Sequence, residues 1–165
     1  MAIRKILKFP DQDLRIKAKP VETFDEELKT LTDDMFETMH SVNGIGLAAT
    51  QIGVAKQVAV IDTSPEKNEP LVIVNPVIQI LDPSKTEDYD EGCLSVPGFF
   101  EKISRPSDIK ISYQDLNGKK QEIKPEGLLT KVVQHELDHL NGRLFVDHIS
   151  ELKRRRIRNK IVKQK

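Results

Sequence analysis

Two histidines and a glutamate in the last quarter of the chain have the spacing that metal chemistry requires. They lie in the segment His135-Glu136-Leu137-Asp138-His139, which matches the pattern H-E-x-x-H. On an α-helix, positions i and i+4 lie about 40° apart on one face, so two imidazoles there can bind one ion. Glu136 lies beside them and can act as general base on a metal-bound water. The pattern therefore predicts a metal-dependent hydrolase, although a solvated helix with two incidental histidines would have the same letters.

A catalytic ion of this kind usually has three protein ligands and one open position, so the chain must supply a third ligand. One class of metalloprotease continues the pattern with a glycine and a third histidine. Gly142 fits that continuation, but Phe145 occupies the place of the histidine. Another class uses a glutamate from a later helix, and Glu151 follows too closely for a separate returning helix. Cys93, the only cysteine, remains either as a thiolate ligand or as a small buried apolar residue.

The elements that must position these residues follow from apolar spacing and turn signals. In chain order, the predicted elements are a helix at about 25–42 after the capping-box-like segment 23–26, strands at 57–62 and 70–81, a hairpin of strands 108–114 and 121–124, and a helix at about 126–140. Asn117-Gly118 is a strong hairpin signal. This order predicts an α+β fold, with a mainly antiparallel sheet packed around a central helix that carries the motif.

The composition is that of one ordinary globular domain. The chain has 165 residues, of which 38% are hydrophobic and 32% charged, so it can form a core without disulfides. A single cysteine favours a reducing compartment. The N-terminal segment lacks the apolar run of a signal peptide, and no apolar stretch approaches the roughly 18 residues that a membrane span needs. We therefore expect a cytoplasmic monomer that has no contact with membranes.

The last fourteen residues form a basic tail, and we expect a catalytic domain at 1–151 followed by a basic helical tail at 152–165. The tail contains eight Lys or Arg and no acidic residue, which leaves 18 basic residues against 26 acidic ones in the rest of the chain. A basic helix could bind RNA phosphates. Because only Ile157 and Ile161 form an apolar stripe on it, a solvated, fraying terminus is the alternative.

Three segments together resemble the signature motifs of the peptide deformylase family, in the order and spacing of that family. They are Gly44-Ile45-Gly46-Leu47-Ala48-Ala49-Thr50-Gln51, Glu91-Gly92-Cys93-Leu94-Ser95 and Gln134-His135-Glu136-Leu137-Asp138-His139. The resemblance extends over nearly the whole chain. It implies an enzyme that removes the formyl group from the formyl-methionine terminus of nascent polypeptides and releases formate. The alternatives are another H-E-x-x-H amidase or metalloprotease, or a non-catalytic, ribosome-binding metal protein.

The resemblance also implies a role for each matching residue. Cys93, His135 and His139 would be the metal ligands, Glu136 the general base and then acid, and Gln51 and the backbone N–H of Leu94 the pair that stabilises the oxyanion. The family uses Fe2+ most naturally, and Zn2+, Ni2+ or Co2+ can occupy the site. Members with a similar basic C-terminal helix dock on the ribosome, so the ribosome is the expected partner of the tail.

The expected substrate contacts lie within the first segment and shortly before the second and third. Gly46 permits close backbone approach, so this stretch could pair with the substrate as an added strand. The residues expected to bind substrate are Ile45, Gly46, Leu47, Tyr89 and Leu128, with Ile45, Tyr89 and Leu128 lining the methionine pocket. The resemblance implies a supporting salt bridge between Glu91 and Arg105. Three positions depart from common family members. Phe100 stands where several members have an arginine, and Tyr89 and Lys131 stand at positions near the pocket that are often aliphatic. For Lys131 the alternative is a side chain that only faces solvent.

Overall fold

Two antiparallel sheets and three α-helices make up residues 2–164, the part of the chain that the structure, a computed structural model, describes. The helices are α1 (Glu26–Ser41), α2 (Leu128–Leu140) and α3 (Glu151–Lys163). The strands are β1 (Gly46–Ala48), β2 (Val58–Ile61), β3 (Leu71–Ile80), β4 (Thr86–Cys93), β5 (Val96–Pro106), β6 (Ile109–Gln114) and β7 (Lys120–Ile123). The predicted α+β class with antiparallel sheets is confirmed.

The larger sheet contains five strands in the order β1-β2-β3-β6-β7, and each neighbouring pair is antiparallel. The predicted hairpin is present as β6 and β7, which pair across the Asn117-Gly118 turn. Strand β1 forms one edge of this sheet and pairs only with β2, with Gly46 opposite Ile61. The other side of β1 is therefore free to pair with an added strand.

Helix α1 packs its apolar face on the sheet next to β1 and β2. Met35 and Met39 are completely buried in a cluster that includes Leu47. The helix begins after Asp25, whose side chain accepts a hydrogen bond from the Leu28 N–H at 3.1 Å. The capping box predicted at 23–26 is therefore wrong, because the carboxylate of Asp25 itself accepts the hydrogen bond of the free Leu28 N–H.

Helix α2 carries the motif and packs against β1 and β2 and an apolar cluster on the sheet. Val133 and Leu137 are buried against isoleucines of β2, β3 and β6. The helix begins two residues later than predicted, because Gly127 has a φ of 59°, which is a left-handed conformation that cannot belong to the helix. The two motif histidines thus lie in the last two turns of a helix fixed along its length by the core.

Strands β4 and β5 form a separate two-stranded ribbon that ends in the tight turn Leu94-Ser95. Every second residue of a strand faces the same side. In β4 one side carries Glu87, Tyr89, Glu91 and Cys93, and each of these four residues contacts a side chain of α2. The register of the ribbon places Glu87 opposite Arg105.

The basic tail forms the regular helix α3, as its composition predicted. Ser150 caps it by accepting a hydrogen bond from the Lys153 N–H at 3.2 Å. Ile157 and Ile161 are each 4% exposed and pack in one apolar cluster with Phe145. Over residues 151–163 the alternative of a solvated, fraying terminus is therefore wrong, because two isoleucines suffice to dock the helix. None of the helices in residues 2–164 has the length and apolar character needed to cross a bilayer.

Candidate metal centre

The structure brings one cysteine and two histidines together at the meeting point of α2 and the ribbon. His135 and His139 lie on successive turns of α2, and Cys93 is the last residue of β4. The Sγ atom of Cys93 is 3.2 Å from Nε2 of His139, which is 3.2 Å from Nε2 of His135. The three ligand atoms all lie within 4.8 Å of one another. Residues 46 positions apart in the chain thus form one donor set.

This donor set fits a divalent transition-metal ion. The two Nε2 atoms and the sulfur point at a common centre, where three electron-rich atoms would repel one another without a cation between them. Imidazole and thiolate are donors that Zn2+ and Fe2+ accept. Within residues 2–164 no fourth potential ligand side chain joins these three. Three protein ligands are the composition of a catalytic site with an open position.

A buried charged network holds the first histidine in orientation. Nδ1 of His135 lies 2.8 Å from Oε1 of Glu91, which leaves Nε2 free for a metal ion. Both carboxylate oxygens of Glu91 accept hydrogen bonds from Arg105, and this arginine also donates to Asp138 at 3.1 Å. Glu91 and Arg105 have side chains only 3% and 5% exposed. The salt bridge that the resemblance implied is therefore present, and it joins both strands of the ribbon to α2.

The surroundings of the two histidines shift their pKa values in opposite directions. Burial disfavours a charged His135, but the neighbouring Cys93 and Glu91 groups more than offset it and raise the pKa of this imidazole well above its usual value. For His139, burial and the charge of His135 both act in the same direction and lower the pKa well below the usual value. Metal binding requires the ligating nitrogens to be deprotonated, so metal affinity at this site should depend on pH.

Glu91 behaves as a permanent anion in this network. Burial raises the pKa of its carboxyl, but the hydrogen bonds from Arg105 and His135 outweigh burial and lower the pKa to about 2. A carboxylate that stays ionised keeps the proton of His135 on Nδ1. The network therefore fixes both the position and the tautomer of a metal ligand.

Glu136 is placed to exchange protons beside the donor set. Its side chain is buried, and among the described residues its Oε1 has no hydrogen-bond partner. Burial raises the pKa of this carboxyl to about 7, partly opposed by the charge of His135. A carboxyl with a pKa near neutrality can both accept and return a proton at physiological pH.

Gln51 and Leu94 lie next to the sulfur of Cys93. The Ala48 N–H donates to Oε1 of Gln51 at 2.9 Å, which fixes the orientation of the amide. Its Nε2 then lies 3.0 Å from Oγ of Ser95 and 3.7 Å from Sγ of Cys93. Leu94 lies in the turn after Cys93, and its carbonyl accepts a hydrogen bond from Nζ of Lys8 at 3.1 Å. One amide donor thus lies beside the donor set, and Leu94 lines the cavity next to it.

A cavity of about 570 Å³ opens above the donor set. Its walls are Ile6, Lys8, residues 42–46, Gln51, residues 89–94, Pro97, Gly98, Phe100, Lys131, Val132, His135 and Glu136. Ile45, Gly46 and Tyr89, which the sequence assigned to substrate binding, are among them. Phe100 is 71% exposed at the cavity and covers Gly92, so no guanidinium is available at this position.

The structure does not bring every expected substrate residue to this cavity. The side chain of Leu47 is completely buried in the α1 cluster, because side chains alternate along β1 and this one faces the core. Leu128 lies in the first turn of α2 and packs against the sheet cluster instead of the cavity. Ile6 and Val132 also line the cavity, and neither was predicted to do so. For Val132 the available signal was its position three residues before His135 on α2, and for Ile6 there was none.

Comparisons with known proteins agree on one family. A profile of the polypeptide deformylase family matches residues 3–155. A peptide deformylase of Saccharophagus degradans is 57% identical, over 99% of this chain and 95% of the relative, and one of Cellvibrio japonicus is 56% identical, over 99% and 96%. A crystal structure of a Legionella pneumophila peptide deformylase superposes with a TM-score of 0.92 at 51% identity, covering 98% of this chain and 95% of the other.

An Ehrlichia chaffeensis peptide deformylase, solved in complex with actinonin, superposes with a TM-score of 0.94 at 40% identity. The alignment covers 100% of this chain and 99% of that protein. The match is therefore one of whole chains, and it includes the segments that carry the donor set, Glu136 and Gln51. The chain belongs to the polypeptide deformylase family.

Proposed function

We propose that Cys93, His135 and His139 hold the catalytic ion of this deformylase and that Glu136 carries the proton during removal of the N-formyl group. The observation that carries the proposal is the convergence of the three ligand atoms within 4.8 Å of one another, where Cys93, His135 and Glu136 also line one cavity. The reaction is the hydrolysis of the formyl-methionine terminus of a nascent polypeptide. A thiolate and two imidazoles suit Fe2+, the expected native metal, and Zn2+, Ni2+ or Co2+ as substitutes.

The substrate backbone would bind along the free edge of β1. Gly46 lies there, and a Cβ atom at this position would collide with the carboxylate of Glu136. The absence of a side chain therefore leaves room for a peptide strand to approach the proton carrier. Ile45, which is 38% exposed, and Tyr89 both line the cavity and offer apolar surface for the methionine side chain.

The oxyanion that develops on the formyl oxygen would be met by donors from the chain. The Gln51 amide carries two N–H groups, of which one is used by Ser95 and the other points towards Cys93. The backbone N–H of Leu94 is the second proposed donor. Removing one donor of this kind typically costs about 2.7–4 kcal/mol of transition-state stabilisation. An ion held by the three ligands would add Lewis-acid polarisation of the carbonyl and a lowered pKa for water.

Glu136 would move the proton between water and the leaving group. Its carboxylate takes a proton from the attacking water, whose oxygen forms the new bond to the formyl carbon. The C–N bond of the formamide then breaks, and Glu136 delivers the proton to the departing amine. Formate and a peptide with a free α-amino group are the products, so the carboxyl group returns to its starting state.

The direct test is anaerobic metal analysis coupled to formate release from formyl-Met-Ala-Ser, with an unformylated peptide offered as a substrate for internal cleavage. Formate release without internal cleavage, in proportion to bound Fe2+, is the expected result. Cleavage of internal bonds would instead identify a metalloprotease on this scaffold. Oxygen should lower activity through loss of Fe2+, and Zn2+, Ni2+ or Co2+ should then be found in its place.

We also propose that the chain is a cytoplasmic monomer, with a catalytic unit at 1–151 and a ribosome-docking helix at 152–165. Arg155, Arg158 and Lys163 are exposed on α3, whereas Ile157 and Ile161 are buried, and Arg155 also forms an exposed ion pair with Glu151 at 3.1 Å. Exposed basic side chains suit the phosphates of ribosomal RNA.

Replacement of these three residues by Gln tests the docking helix without uncovering the core that Ile157 and Ile161 complete. If each contacts one phosphate, the slope of log affinity against log salt should become shallower by about 2 to 3. Ribosome affinity should fall while turnover of a short formyl-peptide continues. An unchanged salt slope in a pelleting assay would refute the docking role.

A further inference from the structure

A lysine is built into the wall of the substrate cavity. Lys131 lines the cavity, and its side chain is only 14% exposed. Its Nζ atom lies 2.9 Å from Oε2 of Glu87 and 5.1 Å from the centroid of the Tyr89 ring. Glu87 and Tyr89 are neighbours on the α2-facing side of β4. A carboxylate and an aromatic ring thus hold the ammonium group at the cavity, where the reaction itself does not require a cation.

The ammonium group of Lys131 lies at the level that the end of the substrate's first side chain would reach. Lys131 lies four residues before His135, a rise of about 6 Å along α2. An extended methionine side chain has a comparable length. With the formyl group at the metal ligands and the methionine against Tyr89, as proposed above, the end of that side chain reaches the level of Lys131.

The chemistry of Lys131 differs from that of the thioether it would meet. An ammonium group has three N–H donors, and Glu87 accepts one of them. A thioether sulfur is only a weak acceptor, so an unmodified methionine gains little from the remaining donors. Oxidation to the sulfoxide turns the same side chain into a polar one with a strong oxygen acceptor. An apolar wall would reject that oxygen, whereas an ammonium group can bind it.

We propose that Lys131 is a specificity-determining residue that lets the site accept peptides beginning with N-formyl-methionine sulfoxide. This proposal rests on the proposed function, because it concerns the same hydrolysis at the same ion. Water adds to the formyl carbon and the C–N bond breaks as before, while the sulfoxide is neither reduced nor oxidised. Lys131 acts only by donating a hydrogen bond to the sulfoxide oxygen.

The other role open to Lys131 is purely structural. Its ion pair with Glu87 joins α2 to β4 at the cavity mouth, on the ribbon that also carries Arg105. Glu87 is 57% exposed, so its carboxylate remains solvated when the lysine is removed. A structural tether would be weakened equally by changing either partner. A hydrogen-bond donor to substrate would be lost only when the lysine is changed.

The test is the ratio of kcat/KM for formyl-Met(O)-Ala-Ser to kcat/KM for formyl-Met-Ala-Ser, measured by formate release with the metal-loaded protein. In Lys131→Met, which keeps the length of the side chain, we expect the ratio to fall by about 10- to 100-fold, the effect of losing one hydrogen bond to a charged group. Lys131→Arg should retain the ratio. Glu87→Gln and Tyr89→Phe, which keep the ammonium, should retain it as well.

Inhibition by the products Met-Ala-Ser and Met(O)-Ala-Ser gives the same comparison without turnover of the compared peptides. Across the variants, the ratio of the two inhibition constants should change in parallel with the ratio of kcat/KM values. The proposal is overturned if Lys131→Met leaves both ratios unchanged, or if Glu87→Gln lowers them as much as Lys131→Met does. It is also overturned if kcat/KM of the unmodified protein for the sulfoxide substrate is less than 1% of its kcat/KM for formyl-Met-Ala-Ser. Failure of the proposed function gives a different result, namely no formate from either substrate.

Discussion

Replacing Arg105 by Met tests how the ribbon positions the metal ligands. Arg105 donates two hydrogen bonds to Glu91 and one to Asp138, and all three groups are substantially buried. Methionine has a similar length but no donors. The substitution therefore leaves Glu91 as a buried carboxylate whose one remaining charged partner is Nδ1 of His135.

The expected cost has a thermodynamic and a functional part. Breaking a buried ion pair by removing one partner costs about 3–5 kcal/mol of the free energy of unfolding. A domain of this kind typically has about 5–15 kcal/mol available, so the variant should remain mostly folded. Because Glu91 orients His135, metal affinity should also fall by about 10- to 100-fold.

Urea unfolding of the metal-free protein, followed by far-UV circular dichroism since the chain has no tryptophan, measures the first part. Competition with a chelator measures the second. Lys110→Met is the matched control, because the Lys110–Glu122 pair is an exposed ion pair on the sheet, with side chains 31% and 55% exposed. It should cost about 0–1 kcal/mol and leave metal affinity unchanged. Equal losses in the two variants would refute the positioning role of the network.

Three further predictions concern the pH, the cavity and the tail. Burial raises the pKa of Asp147, but hydrogen bonds from Arg15 and the Leu144 N–H outweigh burial and bring it below 3.8. The ionised carboxylate should therefore stabilise the fold above pH 3.8, and this stabilisation should be lost as the pH falls through the lowered pKa. The free energies of unfolding of wild type and Asp147→Asn should thus converge in acid. Gly46→Ala should lower kcat/KM for formyl-Met-Ala-Ser more than tenfold, because its Cβ would meet the Glu136 carboxylate and lie 2.9 Å from a Val132 methyl; full activity would contradict the strand-pairing geometry. Ile157→Ala should cost about 2–5 kcal/mol in urea unfolding, against less than about 0.5 for the exposed Val162→Ala, and equal values would mean that α3 is undocked.

Local signals in the sequence predicted most of the larger elements. Helical spacing located α1 and α2 to within two residues, and Asn117-Gly118 located the β6–β7 hairpin. The motif on α2 was identifiable because both histidines and the glutamate belong to a single helix. For the third ligand, the residues alone left Cys93 open, since no local pattern shows that a strand end 42 positions earlier meets that helix.

The elements that were missed depend on long-range packing. The β4–β5 ribbon has charged strands and turns at Leu94-Ser95, without the glycine or asparagine that marks most hairpins. Its alternation of Glu87, Tyr89, Glu91 and Cys93 is a period-two pattern, but polar instead of apolar because it faces polar groups of α2. The place of Leu128 depended on the rotation of α2 about its axis, which apolar spacing alone did not fix.

The central claim, that Glu136 moves the proton while three other side chains hold the ion, is tested most directly by Glu136→Gln. Glutamine keeps the shape of the side chain but cannot accept or return a proton. Metal content and kcat are measured on the same sample, with formyl-Met-Ala-Ser as substrate. The account predicts about one ion per chain and a kcat lowered by about 10²- to 10⁴-fold or more. A fully loaded variant with nearly normal kcat, or a variant that has lost its metal, would contradict it.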